Sequence, residues 1–274
     1  MDKRITLAES VTLLPAGDAC LGLGGFTLYR RPMAFTLALL AELARSTAKR
    51  ELTLLTFTAG LESDILVGAG LVSRVRTCYF GLEAFGLAPR FTQAAGDGSL
   101  EIVEETEASL ALGLRAALSG VGFMPSHAWQ GTDLLKLRPD VKEVTDPYTS
   151  ETLTAFPAIH CDLAVIHALR ADYDGNADIG ENWGADRELC FTADRVVVTA
   201  EQVIPRLDRA NIYAPAVTAV VEAPNGAWPT SCYPNYRLDG EATLEYIDST
   251  GSDPKLIQRW AARHGVNLQA GGKA

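Results

Sequence analysis

Hydrophobic and polar residues alternate along this chain in two periods. Short apolar runs rich in Leu, Val and Thr predict buried strands. Longer stretches with apolar residues every three or four positions predict amphipathic helices. Thr6–Leu14 reads as a helix and Cys20–Gly24 as a short buried strand. Pro32–Lys49 reads as a long amphipathic helix that opens with proline at its first position, where the missing N–H has no partner to lose. Leu52–Thr58 predicts a strand, followed by a loop and a helix near Asp64–Ala69. Val72–Phe80 and Leu100–Glu104 predict strands, and Glu107–Ser119 a helix with Leu110, Leu112, Leu114 and Ala117 among its apolar positions. Later strands fall at Leu163–His167, Arg195–Thr199 and Val217–Val221, with helices near Gly240–Ile247 and Pro254–His264.

Strands that alternate with helices predict an α/β fold: an open, mainly parallel sheet with helices on both faces. Such sheets bind ligands at the carboxyl ends of their strands. The 274 residues are enough for one large domain, expected over 1–264. Pro125–Glu151 is the least regular stretch and reads as a long loop or flap between two halves, and 265–274 as a fraying tail. The apolar runs Phe35–Leu40 and Leu52–Thr58 fall short of the roughly 20 residues of a membrane span. The first ten residues lack the apolar core of a signal peptide, and the five cysteines are scattered and odd in number. Both features predict a reducing cytoplasm rather than a disulfide framework.

Charge narrows the partners. With 34 acidic and 24 basic residues the formal charge is −10, so the basic footprint of a nucleic-acid binder is absent. An anionic ligand would need a local device to hold it, such as a helix N-terminus, a glycine loop or a few arginines. The four histidines, His127, His160, His167 and His264, show no compact metal spacing, and no metal site is predicted.

Candidate chemistry lies in three places. Leu21-Gly22-Leu23-Gly24-Gly25-Phe26 leads through Thr27-Leu28-Tyr29-Arg30-Arg31 into Pro32: a strand, a glycine pair, a polar and basic loop, then a helix. Glycine permits close approach of backbone to a ligand, and a helix start offers N–H groups to an anion. A tight turn carrying two surface arginines fits the same residues. The segment is neither a dinucleotide fingerprint nor a phosphate-binding lysine loop. Val103-Glu104-Glu105-Thr106-Glu107 crowds three carboxylates between a strand and a helix, where mutual repulsion can tune a catalytic base. Acidic residues at a helix start also simply complement its dipole, with Thr106 as cap. In Ser126–Asp133, His127 reads as a substrate contact or an exposed loop histidine, and Trp129 as a packing anchor. Asp172–Asn176 reads as a turn rather than a calcium loop. His160 and His167 read as hydrogen-bonded core histidines.

The Gly24-Gly25-Phe26 segment, with Arg30 where a glycine is usual and then Pro32, resembles the N-terminal signature of family I CoA-transferases. The arginine is similar to the glutaconate CoA-transferase A-subunit branch. Gly81-Leu82-Glu83, Gly86-Leu87-Ala88-Pro89, Phe123–Ser126 with Gly131-Thr132-Asp133, Asp162–His167 with Ala171–Asn176, Val196–Glu201 and Ala223–Ala227 extend the resemblance over about residues 5–250. It implies the CoA-transferase/NagB/RpiA-like fold, a coenzyme A thioester as substrate with no permanently bound cofactor, and a B-subunit partner in an A–B heterodimer or A2B2 tetramer. In such enzymes a B-subunit glutamate attacks the acyl-CoA, and an anhydride and then an enzyme–CoA thioester follow. Gly180–Gly184 only faintly echoes the segment that carries that glutamate, so the nucleophile is expected on the partner.

The resemblance also ranks the candidates. The position matching Glu107 faces the active site in A subunits, and in steroid ring-cleaving CoA-ester hydrolases a glutamate there is the proposed acid or base. Glu107 is therefore the first catalytic candidate and Glu104 the second. Gly24, Gly25, Phe26, Thr27, Arg30, Arg31, His127 and Asn176 are candidates for substrate or CoA binding, with main-chain donors of the glycine loop stabilising charge on the thioester carbonyl. Hydrolysis of a ring-containing CoA thioester is the alternative reaction. A ligand sensor is a third reading, but sensors of related fold carry a DNA-binding helix-turn-helix, for which there is no room before Cys20.

Overall fold

The computed structural model describes residues 1–45, 51–249 and 254–266. Seven parallel strands form the main sheet: β1 (Ala19–Leu23), β2 (Leu52–Leu55), β3 (Val72–Thr77), β4 (Glu101–Glu104), β5 (Cys161–Ala168), β6 (Ala193–Ala200) and β7 (Ala219–Glu222). Their spatial order is β7-β6-β5-β1-β2-β3-β4. The open parallel α/β sheet expected from the alternation is the one that forms. Helices α1 (Leu7–Val11), α2 (Met33–Arg45), α3 (Leu61–Gly68), α4 (Pro89–Asp97), α5 (Glu107–Leu118), α6 (Leu134–Leu137), α7 (Asp186–Thr192), α8 (Gly240–Asp248) and α9 (Pro254–Arg263) surround it.

Period-two alternation along each strand sends successive side chains to opposite faces. On one face Leu21, Leu23, Leu54, Val75, Leu163, Val165 and Val197 join Phe35 and Leu39 of α2 and Leu66 of α3 in one core. On the other, Ala164, Ile166, Val196 and Val198 meet Leu110 and Leu114 of α5 and Leu189 of α7. A third cluster joins Trp228, Tyr246 and Trp260 beside Met33 and Leu37.

Several boundaries differ from the periodic reading. The strand expected over Val72–Phe80 stops at Thr77, and Tyr79–Phe80 pairs instead with Thr58–Ala59. The helix expected at Thr6–Leu14 shortens to α1, where Thr6 and Glu9 cap each other's backbone N–H groups. Residues 46–49 of the expected Pro32–Lys49 helix, and 267–274 of the expected tail, lie outside the described residues. The stretch 125–151 is ordered rather than a bare loop. Phe123–Ser126, Thr152–Pro157 and Lys142–Thr145 make a small antiparallel sheet, with α6 between its first and last strands in sequence. Trp129 anchors it: the ring packs edge-on to Phe156 at 5.1 Å, and Nε1–H donates to Thr106 Oγ1 at 2.9 Å.

The topology places the site. From β1 the chain builds outward through β2, β3 and β4, then returns and builds the other way through β5, β6 and β7. The direction reverses between β1 and β5, and a crevice opens at the carboxyl ends of neighbouring strands at such a point. Gly24 and Gly25 sit there.

Candidate active site

The glycine pair is required by packing. Gly24 continues the sheet, its N–H donating to Val165 O at 3.0 Å. A Cβ on it would run into Ile166 Cδ1 and lie 2.7 Å from Asp186 Oδ1. Gly25 has φ +90°, and a Cβ there would lie 2.7 Å from the carbonyl oxygens of both Tyr29 and Arg30. Phe26 and Tyr29 exchange backbone hydrogen bonds of 2.9 and 2.8 Å, closing a tight turn with Thr27 and Arg30 in the left-handed region.

Most of the loop's N–H donors are already engaged, Leu28 N–H being the exception. Gly25 N–H donates to Asp186 Oδ1 at 2.8 Å, Phe26 N–H to Tyr29 O, and Thr27 N–H to Thr58 Oγ1 at 2.8 Å. Main-chain stabilisation of a thioester oxygen by Gly25, Phe26 or Thr27, expected from the glycine motif, would need this loop to rearrange. The arginines likewise face inward. Arg30 is fully buried, donating to His167 O (2.8 Å) and Asn182 O (2.7 Å) with Asp186 Oδ2 at 2.9 Å. Arg31 is fully buried on Glu62, Thr58 O and Thr56 Oγ1. These pairs clamp the loop to the strand tips on either side, so the reading of two surface arginines does not hold.

What the loop does expose are side chains. Phe26 and Thr27 are half-buried, and Phe26 stacks on Phe57 with ring centroids 6.2 Å apart. Phe57 follows β2, and its carbonyl accepts from the Cys78 thiol at 2.8 Å, just beyond β3. Burial, and then the charge of Glu107, push the Cys78 thiol up to about 11, so it stays a neutral thiol at physiological pH.

The three carboxylates divide by position: the end of a strand, the connection after it and the start of a helix. Glu104 closes β4 and is exposed, and Glu107 is exposed at the first position of α5. Among the described residues neither has an ion pair. Glu105 turns inward, paired with Arg76 at 2.6 Å and Arg138 at 2.8 Å and touching Ser109 Oγ. Thr106 and Ser109 cap the start of α5 reciprocally. Glu105 is thus structural, while Glu107 is a free carboxylate at the strand tips whose charge reaches Cys78.

Two other candidates are engaged elsewhere. His127 is exposed, with Nδ1 3.2 Å from Gln130 Oε1 and Nε2 3.8 Å from Glu151. Asn176 donates to Asp172 Oδ2 at 2.9 Å and accepts from Ala214 N–H at 3.0 Å, inside the turn where Asp172 Oδ1 caps the N–H groups of residues 174–176. His167 is the expected buried histidine, held between Thr199 Oγ1 (2.9 Å) and Glu201 Oε1 (2.8 Å), whereas His160 is exposed. Glu201 also accepts from Tyr236 O–H and Asn225 N–H. Burial opposes its charge, but His167 and these donors outweigh burial and hold its carboxyl below the usual range. The nitrogen, oxygen and sulfur of His167, Glu201 and Cys232 lie within 4.8 Å of one another. Both His167 nitrogens and both Glu201 oxygens already have partners, as befits a closed polar network behind Arg30.

Residues 5–223 match the family described as Coenzyme A transferase. The chain belongs to that family. It is 31% identical to the A chain of the 3-oxoadipate CoA-transferase of Pseudomonas knackmussii, covering 95% of this chain and 92% of the relative. It is 32% identical to the cholesterol ring-cleaving hydrolase IpdA subunit of Rhodococcus jostii, covering 96% and 92%. Among solved structures, the decarboxylase AibA/AibB superposes with a TM-score of 0.87 at 30% identity, over 96% of this chain and all of that one. Glutaconate coenzyme A-transferase from Acidaminococcus fermentans superposes with a TM-score of 0.83 at 26% identity, over 95% and 88%. The family and these relatives make the chain the A subunit of a CoA-transferase-type enzyme, the class its glycine loop resembles. No described helix is long and apolar enough to cross a membrane.

Proposed function

We propose that the chain works with a B subunit to move CoA between an acyl-CoA and a carboxylic acid. The observation that carries this reading is the glycine loop clamped at the switch point of a family-matched sheet, bordered by Phe26, Phe57, Cys78 and the free carboxylate of Glu107. The B subunit supplies the nucleophilic glutamate; this chain supplies one wall of the thioester pocket. CoA is a substrate here, not a resident cofactor, and the reaction takes place in the cytoplasm in a heterodimer or its A2B2 pair. Gly24, Gly25, Arg30 and Arg31 act by holding the loop's shape, and Phe26 and Thr27 face the substrate.

Glu107 supports a second reading. An unpaired, exposed carboxylate at the first turn of α5 is placed to act as acid or base in hydrolysis of a cyclic CoA thioester, and a ring-cleaving hydrolase is represented among the relatives. Trapping distinguishes the two. The assembled enzyme is incubated with acyl-CoA and then treated with borohydride or hydroxylamine. A modified glutamate on the B chain is expected and establishes transfer. Absence of any adduct, together with loss of CoA-ester turnover in Glu107→Ala, would establish hydrolysis instead.

A further inference from the structure

The segment Asp178–Arg187 has two sides. One backs the glycine loop: Asp186 takes the Gly25 N–H, Asn182 O takes Arg30, and Gly184 lies against the Phe26 ring. The other lines a separate cavity of about 570 Å3, within the size range of small-molecule sites, bounded by Arg170, Trp183, Arg187, Arg209 and Tyr213.

The arginines of this cavity differ from those of the molecule's β2–β4 crevice. A second crevice, of about 420 Å3 over the β2–β4 side of the sheet, also holds Arg74, Arg76 and Arg138, but each of those is tied to a carboxylate of Glu101, Glu105 or Asp140. In the larger cavity only Arg170 has an acid, Asp178 at 3.2 Å. Arg187 rests 4.8 Å over the ring of Trp183, and among the described residues neither it nor Arg209 has a carboxylate partner. Asp178 is itself occupied by Arg170 and the Gly180 N–H, which leaves Glu181 as the uncommitted acid of the lining. A protein of charge −10 has no general field to collect anions, so unpaired guanidinium forks in a cavity mark a place where phosphate can be bound bidentately. Trp183 and Tyr213, 38% and 53% exposed, present ring surface beside those forks, which suits a flat base.

Phosphate forks next to aromatic faces, one segment away from the loop at the reacting centre, fit a nucleotide. We propose that this cavity seats the phosphorylated adenosine end of the CoA thioester whose acyl end lies at the strand tips. This inference rests on the CoA reading above. It also gives the Asp178–Arg187 segment a second task, because the same backbone that shapes the glycine loop would register the seated nucleotide.

The test uses the enzyme assembled with its B-chain partner and compares acyl-CoA with the matching acyl-pantetheine, which lacks the nucleotide. In the Arg187→Gln, Arg209→Gln double variant, the KM for acyl-CoA relative to that for acyl-pantetheine is expected to rise about tenfold or more, the size of losing charge-assisted hydrogen bonds. Adenosine 3′,5′-bisphosphate is expected to compete with acyl-CoA in the parent enzyme and to lose that competition in the variant. An unchanged KM ratio in a variant of normal Tm overturns the proposal while leaving CoA-ester chemistry intact. Calorimetric binding of adenosine 3′,5′-bisphosphate or ATP without competition overturns it too, and would make the cavity an independent nucleotide site. Failure of the parent enzyme to turn over any CoA ester would overturn the CoA reading itself.

Discussion

At residue scale, Gly25 and the Glu105–Glu107 pair separate shape from chemistry. Gly25→Ala forces a Cβ to 2.7 Å from two carbonyl oxygens in a left-handed backbone. The expected cost is about 2–4 kcal/mol, read as a lowered Tm together with lost activity. Glu105→Gln leaves the mostly buried Arg76 without its carboxylate and the buried Arg138 with Asp140 alone, with an expected loss of about 3 kcal/mol in denaturant unfolding. Glu107→Gln removes an exposed group with no ion pair and is expected to shift stability by less than about 0.5 kcal/mol. A large fall in turnover at unchanged Tm would place Glu107 at the reacting centre; equal activity would remove it from the chemistry. The crowding of carboxylates between a strand and a helix was readable from the order of residues, but the turn of Glu105 inward onto Arg76 and Arg138 was not. Nor was the burial of Arg30 and Arg31. Each is neutralised by an acid that no local pattern ties to it: Asp186 lies 156 positions further on, and Glu62 on α3.

At the scale of elements, α5 shows how one cap joins two layers. Thr106 Oγ1 accepts from Ser109 N–H and from the Trp129 indole, so the same hydroxyl caps the start of the helix and pins the small antiparallel sheet. Thr106→Ala is expected to lower stability by about 1–2 kcal/mol. It should also raise hydrogen exchange across Phe123–Pro157 more than across β5, whereas uniform exchange would mean the indole contact holds nothing. The strands and helices of the main sheet were legible because burial on both faces writes continuous apolar runs into β5 and β6. The small sheet was not, because its two outer strands are largely exposed, with the pattern Phe-Met-Pro-Ser in one and Lys-Glu-Val-Thr in the other. Helix α4 escaped for a related reason: Pro-Arg-Phe-Thr-Gln-Ala-Ala-Gly-Asp has no fully buried stripe to advertise a period.

For the whole molecule, stability should depend on acid through His264. It lies beside Trp228, and burial depresses its pKa to about 4 from 6.5, with Nε2 buried and unpartnered. The unfolded chain takes up this proton below about pH 6.5 and the folded chain only near 4. Stability contributed by the neutral ring is therefore complete above pH 6.5 and is lost as pH falls toward 4, by roughly 2–4 kcal/mol. His264→Gln is expected to flatten the Tm profile over that window, and an unaltered slope would assign the acid sensitivity to carboxylates such as Glu201 instead.

The strand order carries one more consequence. All of β1–β4 comes from the first half of the chain and all of β5–β7 from the second, and the halves meet in the main sheet along one seam, β1 against β5. Scission within the exposed turn at Tyr148–Ser150 would therefore give two pieces with bare, oily margins at β1 and β5 shaped for each other, and would also part Thr152–Pro157 from its two partners in the small sheet. Produced separately they should precipitate; produced together they should reassemble, with the Asp186–Gly25 tether re-forming across the join as the sign that the pocket has been rebuilt.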